Sequence, residues 1–144
     1  MISRVAIAAL VGGIVLFGLG FLVYGLALDS YMKSTMSPEA AKMMKEMPNL
    51  ILLFLGNVVT AWLYAFVFER WASIKTFVTG LIGGILISLP MIIGFDLMIF
   101  STTNLMSSIP PVIVDILAFT FISAITGGVI GQVLGMLNRN KVAE

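Results

Sequence analysis

VAIAALVGGIVLFGLGFLVYGLAL, residues 5–28, runs for 24 residues without one charged side chain. About 20 helical residues at 1.5 Å each cross a hydrocarbon core ~30 Å thick, so this stretch alone is long enough to span a bilayer. Its apolar residues are continuous rather than alternating, which indicates a helix and not a barrel strand. Three more such runs follow. Residues 49–68 end at Glu69-Arg70, residues 76–100 are interrupted by Pro90 and carry Asp96, and residues 111–137 carry Asp115. Spans are therefore expected at 5–28, 49–68, 76–100 and 111–137 of a single membrane domain, 1–144.

Composition agrees. The 144 residues are 60% hydrophobic and 10% charged, with a mean hydropathy of +1.11. Soluble domains are about 45–50% apolar and about 25% charged, and a soluble chain of this size has no interior large enough for the excess. The class is all-α integral membrane. The first run is read as a retained span, since its core exceeds the 7–15 apolar residues of a signal peptide and no A-x-A site follows.

The same composition removes many kinds of chemistry. There is no Cys and no His, so thiol catalysis, the usual zinc ligands, His- or Cys-ligated haem, iron–sulfur clusters and the Ser–His–Asp triad are excluded. No cofactor and no metal site is expected. A formal charge of +1 offers no field for nucleic acid, and no phosphate-cradling glycine loop occurs. No nucleophile–base pair is legible, which leaves an enzymatic reading without support.

Orientation follows from Lys and Arg. Arg4, Arg70, Lys75, Arg139 and Lys141 fall on one side, against Lys33, Lys42 and Lys45 on the other. Both termini are expected to be cytoplasmic in an up-and-down four-helix bundle of a bacterial inner membrane. Glu69 and Arg70 are expected to pair in solvent at the cytoplasmic end. Between spans one and two, Ser37-Pro38-Glu39 reads as an N-cap, a first-turn proline and a first-turn acid. A short amphipathic outer helix should follow from Ala40 to Met47 and stop at Pro48, its methionines toward the membrane.

Helix association in lipid relies on close backbone approach. Gly80 and Gly84 in span three, and Gly127, Gly131 and Gly135 in span four, recur at four-residue spacing and are assigned to packing, either within the bundle or between copies. In span two Asn57, Thr60 and Tyr64 share one face, which should look inward. Pro90 removes one donor and frees the carbonyl of Leu86, so a kink is expected. The two halves also show a faint likeness, consistent with a duplicated hairpin.

Only Asp96 and Asp115 put charge inside the spans, at matching depth, roughly 6 Å in at 1.5 Å per residue. A buried carboxylate is costly in a membrane, so each should face the interior. With Asn57, Tyr24 and Asp29 they form a candidate outer-leaflet site for a proton, a cation or a polar headgroup. The plain alternative is two hydrated acids near a turn. Met32, Met36, Met43, Met44, Met47, Met98 and Met106 gather on the outer side, where thioethers suit Cu(I) but equally fill irregular surface.

Two stretches, GFLVYGLALDSYMKSTMSPEAAK (20–42) and VDILAFTFISAITGGVIGQVLG (114–135), resemble a small bacterial four-span family known only as a domain of unknown function. Val23 stands where that family often has Trp before the Tyr, and no His follows Asp115. The resemblance implies the same four-span fold over nearly the whole chain and brings no established activity. The expected role is a small transporter or ligand-binding bundle with an outer polar site. The alternative is an accessory subunit packed against another membrane protein or a second copy. The bilayer is the one partner common to both.

Overall fold

In a computed structural model the described residues are 2–139, and all regular structure among them is helical. Lys141 of the basic tail lies outside the described residues, as does the side chain of Arg139. Helix α1, Ile2–Gly20, continues without a break into a wider π-wound segment, Phe21–Ala27. Helices α2, Asp29–Thr35, and α3, Pro38–Met43, make up most of the first connection. Helix α4, Leu50–Val67, again passes into a π-wound end, Phe68–Ala72. Helices α5, Phe77–Thr102, and α6, Ile109–Arg139, complete the chain. Four stretches are long and apolar enough to cross a membrane: Ile2–Ala27, Leu50–Ala72, Phe77–Thr102 and Ile109–Asn138.

The helices pair as two hairpins, α1 with α4 and α5 with α6, joined mainly where α1 meets α6. Small residues let both hairpins close tightly. A Cβ at Gly13 would stand 2.5 Å from Val58 Cγ2 and 2.9 Å from its Cα. Added to Gly127, a Cβ would overlap the carbonyl oxygen of Gly80 and stand 2.8 Å from Gly84 Cα. At Gly84 it would meet the Ser123 carbonyl at 2.5 Å, and at Gly131 the Thr76 carbonyl at 2.5 Å. Gly135 faces the Lys75 carbonyl in the same way. Gly80, Gly84, Gly127 and Gly131 thus sit where α5 and α6 approach backbone to backbone, and Gly135 sits where α6 meets the 73–76 turn.

The core lies where α1, α4 and α6 converge: Val5, Ala8, Leu16, Ala61, Tyr64, Ala65, Phe68, Ile122, Ile130 and Leu134. Its position explains one difference from the sequence expectation. Every buried residue of α4 lies between Ala61 and Ala65; in the Leu50–Thr60 half Phe54 and Val58 pack on α1, but no residue is buried. Tyr64 points inward, but Asn57 and Thr60 are half-exposed. They bond their own helix instead, to the carbonyls of Leu53 (2.8 Å) and Gly56 (3.0 Å). The outward leucines and aromatics form the apolar belt that lipid must cover.

The connections also have structure. Ser37 accepts from the Ala40 amide at 3.2 Å and caps α3, as the Ser-Pro-Glu motif indicates. The helix stops at Met43, one turn short of Met47, and the preceding α2 is an added element. Met36 pairs with Met106 in an antiparallel bridge, and Ser107 donates to the Thr35 carbonyl at 2.8 Å. The two connections are therefore tied together across one end of the bundle, called here the connector end. The opposite, terminal end carries the start of α1, the 73–76 turn and the end of α6. Ser73 at that turn takes a left-handed backbone, φ 51°, and the Ile74 amide closes back on the Phe68 carbonyl at 3.0 Å. Pro90 lies inside α5, which remains helical throughout.

Candidate functional site

One face of α5 carries Gly80, Gly84, Ser88, Ile92 and Asp96, each four residues after the last and each buried. Successive positions at that spacing stack on one side of a helix. The face therefore changes along its length, from glycine at the terminal end, through a hydroxyl, to a carboxylate near the connector end. Asp96 is six residues from the end of α5, and Asp115 six from the start of α6. At 1.5 Å per residue each is about 9 Å inside. That is deeper than the sequence suggests, because both helices extend two residues further toward the connector end.

Asp96 is 5% exposed, and its Oδ2 has no hydrogen-bond partner among the described residues. Its carboxyl group neighbours that of Asp115, which also neighbours the Tyr24 hydroxyl. Tyr24 donates to the backbone carbonyl of Asp115 at 3.4 Å. Tyr24 comes from the π-wound segment, where the Leu28 amide reaches back five residues to Val23 at 2.7 Å. Such widened turns recur at functional sites. Three of the five candidate residues, Asp96, Asp115 and Tyr24, are thus brought together from three elements.

The other two are elsewhere. Asn57 lies next to Val58, which packs on Gly13. Gly13 is eleven residues from Tyr24, about 16 Å along the axis. Asp29 opens α2 and pairs with Lys33 at 2.9 Å in solvent, an i,i+4 contact. Of the methionines grouped above, Met43, Met44, Met47 and Met98 are exposed. No group of three His, Cys, Asp or Glu that could hold a metal ion occurs among the described residues.

Sequence reading passed over a second polar layer. Ser88, Ser123 and Thr126 have no exposed surface, and Tyr64 has almost none. The Tyr64 hydroxyl lies beside those of Ser88 and Ser123. The signal is the four-residue spacing from Gly80 to Asp96, whose ends read separately as a packing face and a site carboxylate.

At the terminal end Glu69 is not in solvent, where its adjacency to Arg70 at the end of the span would place it. It turns inward, its side chain 5% exposed, and bonds Arg4 at 3.1 Å. Lys75 stands 3.9 Å away, and the Asn138 amide donates to it at 3.3 Å. Arg4 also donates to the Asn138 side-chain oxygen. This network joins α1, the end of span two, the 73–76 turn and α6. A groove of about 330 Å³ lies between α3 and the end of α5, lined by Ser37, Glu39, Met43, Ile99, Thr103 and Leu105 among others; neither carboxylate of the cluster lines it.

No curated protein and no solved structure matches the chain. A family model described as a protein of unknown function, DUF1761, matches residues 7–135. That match reaches into all four helical stretches and takes in every member of the Asp96, Asp115 and Tyr24 cluster, and the chain belongs to the DUF1761 family.

Proposed function

We propose that this protein is a small transporter-type bundle whose Asp96–Asp115 pair binds a proton or a small cation entering from the connector end. The observation that carries the reading is the buried Asp96 Oδ2, which has no partner among the described residues. A carboxylate oxygen held at depth in a membrane bundle is costly unless something compensates it. A proton or a cation shared with Asp115, within reach of the Tyr24 hydroxyl, supplies that compensation. The Lys and Arg distribution makes the connector end the outer side, with both termini cytoplasmic in a bacterial inner membrane. The accessory-subunit reading needs an outward glycine face, and the glycine repeat is already used between α5 and α6.

Ligand binding to the folded state alone raises stability, by about 2.7 kcal/mol at a hundred times Kd. The chain in lipid nanodiscs is expected to gain melting temperature on titration with acid or with sodium or potassium chloride, against choline chloride at equal ionic strength. The Asp96→Asn/Asp115→Asn variant is expected to fold and to lose that gain. Equal responses in both proteins would sink the reading.

A further inference from the structure

The groove between α3 and the end of α5 has no part in the carboxylate cluster. It encloses about 330 Å³, which is the size of a small-molecule pocket. Its apolar walls come from Ala40, Met43 and Met44 of α3, Ile99 of α5, and Leu105 of the connection that follows. The polar groups between them are already engaged. Ser37 Oγ accepts from the Ala40 amide, and the Ser37 amide donates to the Leu105 carbonyl at 3.2 Å. Thr103 Oγ1 donates to the Ile99 carbonyl at 2.8 Å and accepts from the Leu105 amide at 3.3 Å. A peptide or a sugar entering the groove would give up hydrogen bonds to water and regain few. A hydrocarbon chain has none to give up.

The position of the groove points to the source of such a chain. Helix α5 has 26 residues and is about 39 Å long at 1.5 Å per residue, against ~30 Å of hydrocarbon. It therefore projects from the hydrocarbon by a few ångström at each end, which puts Ile99, near its last turn, at the boundary. Phe95 and Met98, within one turn of Ile99, are exposed. The groove thus opens onto the apolar belt of α5 and continues the surface that lipid must cover. Met43 and Met44, on the α3 side, are exposed as well.

Charge sits at the rim. Glu39 lines the groove in the first turn of α3, and Lys42 follows on the same helix. Neither has a hydrogen-bond or ion-pair partner among the described residues. Residues three apart are neighbours on a helix surface, so a carboxylate and an ammonium stand side by side. That pair complements a headgroup carrying one charge of each sign. We infer that the groove seats one phospholipid from the leaflet at the connector end, its acyl chain along Met43, Met44, Ile99 and Leu105 and a zwitterionic amino headgroup over Glu39 and Lys42. The headgroup ammonium donates to the Glu39 carboxylate, and the phosphate accepts from the Lys42 ammonium. This seat is independent of the proton- or cation-binding role of the carboxylate pair.

The test is native mass spectrometry of the chain released from nanodiscs of equal parts phosphatidylethanolamine and phosphatidylglycerol, with activation raised until loosely held lipid is stripped. One phosphatidylethanolamine is expected to remain on each chain. Ala40→Trp fills the groove from within and is expected to lose most of the retained lipid. Met44→Asp sets a charge against the hydrocarbon at a side chain that is 60% exposed. It is expected to show the same loss and serves if Ala40→Trp does not fold. Glu39→Gln is expected to keep a lipid but to lose the preference for phosphatidylethanolamine. No retained lipid on the unaltered chain, or equal retention by Met44→Asp, overturns the inference. So does a preference for phosphatidylglycerol, or a phosphatidylethanolamine preference that survives Glu39→Gln.

Discussion

Gly127→Leu is expected to stop α5 and α6 from closing and to abolish recovery of folded, monodisperse protein. The space a side chain would need is occupied by backbone, the Gly80 carbonyl and the Gly84 Cα and amide nitrogen, and backbone cannot rotate away as a flexible side chain can. Even Gly127→Ala must push the helices apart, an overpacking cost of about 1–3 kcal/mol. That separation would also part Asp96 from Asp115, so the alanine variant should lose ligand response before it loses fold. Gly18 and Gly56 supply the control. A Cβ at either meets nothing within 4 Å, and alanine there should be neutral or stabilise by up to about 1 kcal/mol through helix propensity. Unfolding curves in nanodiscs separate the two groups. Equal losses at Gly127 and Gly18 would mean that the hairpin does not pack on its glycines.

Glu69→Ala is the second large effect expected. It leaves the Arg4 guanidinium, 20% exposed, without its carboxylate and removes an acceptor from Asn138 and a counter-charge from Lys75. Breaking a buried ion pair by removing one partner costs about 3–5 kcal/mol, and partial access of Arg4 to water puts this case near the lower figure. Glu69→Gln keeps an acceptor for Asn138 and should cost less. Because the network joins both hairpins at the terminal end, the loss should appear as a lower global melting temperature. Its companion reading is faster hydrogen exchange at the start of α1 and in the 73–76 turn. A melting temperature unchanged by Glu69→Ala would contradict the account of that end.

How far these features were legible in the sequence differs by residue, for physical reasons. The four spans were plain because a bilayer demands about twenty continuous apolar residues, and few other arrangements do. Asp96 and Asp115 stood out because charge is rare in such runs. The glycine repeat reads as a packing face, but Ser88, at the next step of the same face, reads only as a partner for the Leu86 carbonyl that Pro90 frees, because one serine in a span carries little signal. Asn57 was grouped with Tyr64 by helical phase alone. Phase does not reveal that burial on α4 begins only at Ala61. Adjacency brings Glu69 together with Arg70 but does not reveal that Glu69 is buried against Arg4, which is distant in sequence and connected to it by no local pattern. The π-wound segments that carry Tyr24 and Glu69 arise from one extra residue in a turn, and composition does not record this.

The central claim is that Asp96 and Asp115 form a proton- or cation-exchanging pair inside the membrane. Its most direct measurement is reaction of the unaltered chain in nanodiscs with dicyclohexylcarbodiimide, an apolar reagent that captures carboxyl groups carrying an exchangeable proton within the bilayer. The adducts would be mapped by mass spectrometry. The account predicts modification at Asp96 or Asp115, reduced by the cation that raises the melting temperature, with Asp29 and Glu39 unmodified. Adducts at Asp29, Glu39 or Glu46 with none at Asp96 or Asp115 would contradict it.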